Sequence, residues 1–518
     1  MRSRSVLAAV WIPLAVIFLI GVETRFVGLS DRSLAFDEAF SVSVARLSVP
    51  EIVQYLGTNH DTHPPLHYAL LSVWIHLFGE SEAAVRGLSA LIGLAMVVLL
   101  YAFARRLAGR TVALVAAALL AGSAFAVHAA QEARMYPLLG LLALGSWASL
   151  GLAIRTGKAR HWALYTVCGV LMLYTHYFGF LVLGSQALYL APRWRHDRRT
   201  LRDAALAFAT VAVLFSPWIP AILAQAASGR VSPTFRPPAD THALSTLLAL
   251  FGFGGELFGL GGYFSTVYAP AWREVLVAAP ILGLLGAGVY ALRGERAWLL
   301  VCYLAAPIAA AFLVSQRVNV FYPRYFSFLA PAFALLLAAG IDHAVSALVG
   351  LTKRGLENRS TALAGCTLVV LLLNAPVING FTRVDYAVHD WRGAAELVTA
   401  AAGPEDYLLF VPGFAQISFD YYFKGSQERY KLWPVEIFQM VGAKRAADPA
   451  ISKAWARTLA EDHPRIWIIA TVPLPGSAYI RLRTLLEDDF GVGQAWDFHS
   501  VYVFDLPSRH YRAYAGPK

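Results

Sequence analysis

Over its first 378 residues the chain alternates long apolar runs with short, mostly basic breaks. Crossing a bilayer as a helix takes about 20 predominantly apolar residues. The pattern predicts eleven crossings, at residues 5–27, 82–104, 111–129, 135–154, 162–176, 178–192, 204–223, 272–292, 298–314, 326–346 and 361–378. The stretch 161–192 is basic at both ends, so it crosses twice, with a tight outer turn at Thr175-His176-Tyr177. Each half is short but adequate for a thin crossing. Two apolar segments fit less well. Leu66–Phe78 is too short to span and reads as a juxtamembrane helix. Ala243–Phe264 contains the glycine-broken FGFGGELFGLGG and reads as re-entrant or as an outer interfacial segment.

From residue 379 the pattern changes. Strand-like runs at Tyr407–Val411, Arg465–Val472 and Val501–Leu506 alternate with helical patterns at Trp391–Ala401 and Ile451–Ala460. Charges become frequent and balanced, 15 Lys and Arg against 16 Asp and Glu, as on a water-exposed domain. This alternation predicts a small α/β domain over 379–518.

Composition agrees with the pattern. The chain of 518 residues is 58% hydrophobic and 15% charged, with a mean hydropathy of +0.54. Soluble domains carry roughly 45–50% apolar and about 25% charged residues. That excludes a soluble fold and intrinsic disorder. Only three cysteines are present, Cys168, Cys302 and Cys366, all in or at the start of apolar runs, which excludes a disulfide-stapled secreted fold. Arg2 and Arg4 precede the apolar stretch Val6–Val22, and no small-residue cleavage site follows, so this stretch reads as a retained first helix.

The net charge of +10 would suit nucleic acid, but its distribution does not. With Arg2 and Arg4, short loops at 105–110, 155–160, 193–202, 293–296 and 353–359 hold 18 of the 43 Lys and Arg. Every second loop is basic, and the positive-inside rule places those loops in the cytoplasm. The expectation is a polytopic α-helical protein of the cytoplasmic membrane. It has about 11 transmembrane helices, N-terminus in and C-terminus out. Residues 1–378 form the membrane domain with a large first outer loop, 28–81, and 379–518 form an extracytoplasmic α/β domain. No tandem repeat, P-loop or glycine-rich nucleotide fingerprint at a strand–helix junction is present, which directs an enzyme reading toward lipid-linked or exported substrates.

Candidate chemistry gathers in the loops assigned to the outside. Phe36-Asp37-Glu38-Ala39-Phe40 sets two carboxylates between aromatic residues. Partial desolvation there would make a better base, whereas acids in a first helical turn are the structural alternative. In His60-Asp61-Thr62-His63-Pro64-Pro65-Leu66-His67-Tyr68 the proline pair gives a rigid entry into a helix. His60, Asp61 and His63 could bind a divalent metal or a phosphate. Glu132, Arg134 and Tyr136 lie at an outer membrane edge, where an arginine runs against the charge rule. His176 and Tyr177 sit in the tight turn. Arg317, Arg324 and Tyr325 share another outer loop, and a guanidinium there suits a lipid phosphate. Capping, headgroup anchoring and ordinary turn contacts are the alternatives for these residues.

The order Phe36-Asp37-Glu38, His63-Pro64-Pro65-Leu66-His67-Tyr68, Glu132-Ala133-Arg134-Met135-Tyr136, Thr175-His176-Tyr177 and Arg324-Tyr325 resembles the dolichyl-phosphate-mannose–protein mannosyltransferase-like family of bacterial membrane glycosyltransferases. These share the GT-C fold with aminoarabinose lipid A transferases. The resemblance covers most of residues 1–350. It implies a polyprenyl-phosphate sugar donor and inverting transfer to an acceptor hydroxyl of a protein, lipid or envelope glycan, on the outer membrane face and in contact with membrane lipids. By that analogy Asp37 is the general base and Glu38 assists it. Arg324 and Arg134 hold the donor phosphate, and Tyr325 packs beside it. His63 stands where related enzymes carry a charged residue, which leaves open whether a metal or the phosphate is met there. No cofactor is required by the resemblance, and no nucleic acid is expected. The rival readings are a lipid or sugar-lipid transporter, whose ionisable groups would sit at the midplane, and a non-catalytic scaffold.

Overall fold

The computed structural model describes residues 2–58, 62–227, 239–253, 271–318, 320–350, 357–381, 389–431, 453–471, 486, 488–491, 493–498 and 501–511. It divides into two compact units. One is Met1–Leu29, Leu47–Ser232 and Pro237–Phe381; the other is Ser30–Arg46, Pro233–Arg236 and Thr382–Lys518.

The N-terminal part of the chain is helical. Its helices are α1 (Arg2–Phe26), α2 (Phe36–Ala45), α3 (Val49–Gly57), α4 (Leu66–Phe78), α5 (Glu82–Ala121), α6 (Ala124–Ala130), α7 (Tyr136–Thr156), α8 (Ala159–Leu173), α9 (Gly179–Leu190), α10 (Arg198–Phe215), α11 (Ile219–Ala227), α12 (Thr241–Phe253), α13 (Ala271–Leu292), α14 (Gly294–Ser315), α15 (Ala330–Gly350) and α16 (Glu357–Phe381). Each run expected to cross the bilayer overlaps one or two of these. Among the described residues six helices are long and apolar enough to span: Glu82–Ala121, Tyr136–Thr156, Arg198–Ala227, Gly294–Ser315, Pro323–Gly350 and Arg359–Gly380. The chain is a multi-pass helical membrane protein. Apolar side chains such as Leu206 and Val213 on α10 and Leu368 and Leu372 on α16 are well exposed. Such surfaces suit lipid and would be anomalous in water.

The expected crossing 82–104 and most of 111–129 run together in α5, which breaks at Gly109 (φ +86°), and the end of 111–129 falls in α6. Only glycine adopts that conformation without strain, so the basic turn Arg105–Arg110 needs no separate loop. At the far end of α5, the guanidinium of the fully buried Arg25 donates to the carbonyls of Ala121 (2.8 Å) and Leu120 (3.0 Å). It thereby satisfies acceptors that a helix C-terminus leaves open. The short runs 162–176 and 178–192 become α8 and α9, joined by a turn at 174–178. The described part of Ala243–Phe264 is helical as α12; its glycine-rich remainder lies outside the described residues.

Loop contacts sort into two groups. In one, Arg193 bonds Glu295, Arg199 lies beside Gly157, and Arg359 grips Asp342 with both carboxylate oxygens (2.7 and 2.9 Å). In the other, residues of 63–68, 133–136, 174–178 and 322–326 meet. These are the loops that the charge pattern assigned to opposite sides.

The second unit holds a five-stranded sheet of β1 (Tyr407–Val411), β2 (Glu428–Lys431), β3 (Arg465–Thr471), β4 (Ala495–Phe498) and β5 (Val501–Pro507), in the order β2-β1-β3-β5-β4. β1 runs parallel to β2 and β3, while β5 pairs antiparallel with β3 and β4. The central strands YLLFV and RIWIIAT are covered on both faces, hence their near-continuous apolar sequence. Helices α17 (Trp391–Ala401) and α18 (Ala415–Tyr422) pack on one face through Trp391, Val398 and Phe419; α19 (Lys453–Asp462) covers the other with Ala456 and Leu459. The sequence placed the whole of 28–81 with the membrane domain; in the structure Ser30–Arg46 clusters with the C-terminal residues instead.

Candidate functional site

In the first unit four short segments converge, each started or stopped by a local signal. Pro64 and Pro65 lead into α4, with Pro65 at its N-cap. Pro137 lies in the first turn of α7, just after Glu132–Tyr136. The turn 174–178 separates α8 from α9. Pro323 opens the 3₁₀ helix Pro323–Leu329, which carries Arg324 and Tyr325.

The Leu66 amide donates to the Tyr174 carbonyl at 3.0 Å, tying α4 to the 174–178 turn. His67 is buried, with Nε2 3.3 Å from the Ala133 carbonyl oxygen, which assigns the proton to Nε2. Burial, with Arg134 adding to it, pushes its pKa from 6.5 down to about 3. Arg134 is buried: its Nη1 lies 3.5 Å from the Tyr68 hydroxyl, and its carbonyl accepts from Ser89 Oγ at 3.0 Å.

Aromatic rings join the four segments. His176 lies 5.5 Å from His63, 6.2 Å from Tyr136 and 5.3 Å from Tyr325, ring centre to ring centre. Its Nδ1 accepts from the Phe178 amide at 3.1 Å, so Nε2 carries the proton. Tyr136 and Tyr325 are 6.1 Å apart. The Arg324 guanidinium lies over Tyr136 (5.5 Å) and Tyr322 (5.0 Å). A guanidinium held by its faces hydrogen-bonds through its edge. Arg324, His63, His176, Tyr136, Tyr322 and Tyr325 thus form one aromatic-walled cluster, with the second cation, Arg134, held against Tyr68 on the neighbouring segments, chemistry that suits an oxyanion such as a phosphate.

The structure therefore brings together His63, Tyr136, His176, Arg324 and Tyr325, while Arg134 is tied to Tyr68. Other sequence candidates stand elsewhere. Tyr177 donates to Gln225 Oε1 at 2.6 Å and accepts from Trp218 Nε1 at 3.0 Å, tying the turn to α11. Glu132 pairs with His128 at 3.7 Å. Arg317 is exposed beyond the end of α14, and its backbone N–H donates to Val314. His60 and Asp61 lie outside the described residues. Among the described residues no group of three or more His, Cys, Asp or Glu side chains is arranged to hold a metal ion. Tyr68, Tyr322 and Phe178 were missed as site residues; Tyr68 was quoted in a sequence motif, but only the contacts reveal the place of all three.

Asp37 and Glu38 are in the second unit, in the first turn of α2. Glu38 is buried, and its Oε2 accepts from the Ala35 amide at 3.0 Å, closing the helix start. Asp37 is half-buried, and its carbonyl accepts from Ser41 Oγ at 2.8 Å. Partial exposure of a carboxylate in a helix first turn is compatible with proton transfer, whereas Glu38 has its position explained by capping.

Residues 62–220 match the family model described as dolichyl-phosphate-mannose-protein mannosyltransferase. The match includes Arg134, Tyr136 and His176 but not Asp37 or Arg324. No curated protein matches the sequence significantly. Among solved structures, ArnT from Cupriavidus metallidurans bound to undecaprenyl phosphate is similar with a TM-score of 0.61 at 14% identity, covering 98% of this chain and 99% of that one. Its apo form gives 0.59 at 15% identity over 97% and 98%. The apo oligosaccharyltransferase of Archaeoglobus fulgidus gives 0.58 at 14% identity, over 96% of this chain and 74% of that one. The chain thus has the GT-C fold found in polyprenyl-phosphate-dependent glycosyltransferases, and its segment 62–220 matches their protein mannosyltransferase family.

Proposed function

We propose that the protein is a membrane glycosyltransferase that moves a sugar from a polyprenyl-phosphate donor to an acceptor hydroxyl on the extracytoplasmic face of the cytoplasmic membrane. The observation that carries this reading is the cluster of Arg324 with Tyr136, His176 and Tyr325, walled by aromatic rings, with Arg134 buried against Tyr68 in the adjoining segments. ArnT, whose fold the chain shares, was crystallised with undecaprenyl phosphate.

On this reading the acceptor oxygen attacks the anomeric carbon as the bond from that carbon to the phosphate oxygen breaks. The electron pair of the broken bond goes to the lipid phosphate, and one displacement inverts the sugar. A hydroxyl is a poor nucleophile, so Asp37 takes its proton as it attacks. Charge grows on the leaving phosphate, where Arg134 and Arg324 offset it. Glu38 supports Asp37 by fixing the start of α2.

The test is transfer by the purified protein in detergent, offered undecaprenyl-phosphate-linked mannose, arabinose and aminoarabinose with a crude envelope acceptor. Transfer from one donor, reduced about 10²–10⁴-fold in Asp37→Asn with donor still bound, is expected. Arg324→Ala should lose about 10²–10³-fold. Donor binding without transfer, under conditions where a related enzyme works, would overturn the reading in favour of a transporter.

A further inference from the structure

We propose that the C-terminal α/β domain is the seat of the catalytic carboxylate, with Ser33 and Tyr422 as its positioning residues. This rests on the reading of Asp37 as the base. The residues immediately before Asp37 are tied one after another to chain more than 350 residues away. The Ser30 carbonyl accepts from Arg392 Nη2 at 2.8 Å. Ser33 Oγ donates to the His389 carbonyl at 2.6 Å and accepts from the Trp391 amide at 3.1 Å, so its hydroxyl both donates and accepts. The Leu34 amide, within a fully buried residue, donates to the Tyr422 hydroxyl at 2.7 Å. The Phe36 ring packs on Phe414 at 5.1 Å. Past the carboxylates, the Arg46 guanidinium lies 6.0 Å from the centre of the Tyr421 ring.

These contacts leave α2 little freedom. Its first turn is closed by the bond from the Ala35 amide to Glu38. The residue before that amide is held by Tyr422, and the one before it by the backbone on either side of Asp390. Phe414 follows β1 and opens α18, which ends at Tyr422, so the anchor rests on the sheet itself. A proton acceptor works only when held at reacting distance, and support of this kind is what holds it.

The experiment uses the full chain in detergent with Tyr422→Phe, which keeps the ring and removes the hydroxyl that accepts from the Leu34 amide, and Ser33→Ala. Binding of undecaprenyl phosphate serves as the control for the first unit, to which Arg134 and Arg324 belong, and slow amide exchange in β1 and β3 as the control for folding of the second. The expected result is a fall in kcat of about 10–100-fold, the size that small misplacements of reacting groups produce, with donor KM and undecaprenyl phosphate binding unchanged. Amide hydrogen exchange should quicken at residues 34–38 and not in β1, β3 or α5. Wild-type kcat in both variants would overturn the proposal, as would a loss of donor affinity matching the loss of kcat. Asp37→Asn separates the two readings. If it abolishes transfer while Tyr422→Phe is fully active, only the positioning role falls; if it stays active, the assignment of the base falls and takes the positioning role with it.

Discussion

His67 shows what a single buried group adds to the site. Its ring donates to the Ala133 carbonyl at the turn that carries Arg134, and its pKa is pushed down to about 3. The unfolded chain binds a proton at this residue below about pH 6.5, whereas the folded chain does not until near pH 3. This residue therefore costs no stability above pH 6.5, and the fold weakens through it as pH falls from there toward 3. The slope approaches about 1.4 kcal/mol per pH unit. His67→Gln keeps a donor in reach of the carbonyl and removes the titration. Thermal unfolding in detergent between pH 7 and pH 4 should fall less steeply for this variant than for the wild type. The need for a neutral histidine was not legible from His67 itself, which in sequence is one of three histidines near a proline pair. It follows from burial, which only the fold supplies.

At the scale of elements, the crossing of α13 and α15 depends on two glycines. A Cβ on Gly288 would run into the Leu336 carbonyl, and one on Gly340 into the Leu284 carbonyl. The helices touch backbone to backbone, the arrangement that small residues permit between membrane helices. Gly340→Ala and Gly288→Ala should each cost about 1–3 kcal/mol, the range for overpacking. Gly286→Ala, about half a turn away on the other side of α13, meets nothing within 4 Å and should not lower the unfolding temperature. The central strands were legible because both faces are buried and the apolar run is unbroken. The edge strands β2 (ERYK) and β4 (AWDF) were not, being four residues long and partly exposed. No periodicity can emerge from so short a run.

For the molecule as a whole, alternate basic loops gave a two-sided map, and loops assigned to one side do touch one another in the structure. The assignment of sides can be checked by labelling. Arg317→Cys and Lys158→Cys put thiols at exposed positions in loops assigned to opposite faces. A membrane-impermeant maleimide added to intact spheroplasts should label the first and spare the second until the membrane is opened. The native thiols should stay silent: Cys168 and Cys302 are buried, and Cys366 lies in the apolar stretch of α16. What the sequence did not reveal was the clustering of Ser30–Arg46 with the C-terminal residues. Hydropathy reports what each segment faces and is blind to contacts between polar segments hundreds of residues apart.

That pairing also sets an order of events during synthesis. The hydrogen bonds of Ser33 and Leu34 span 356 and 388 residues of sequence. At a translation rate of about 5–20 residues per second, their partners emerge roughly 20–80 s after the loop itself. The first polar loop to be made is thus among the last to acquire its native neighbours. A ribosome that stalls before Tyr422 leaves a chain with most of its membrane helices but without the anchor of α2, so loop and sheet must await the final fifth of the polypeptide to take shape together.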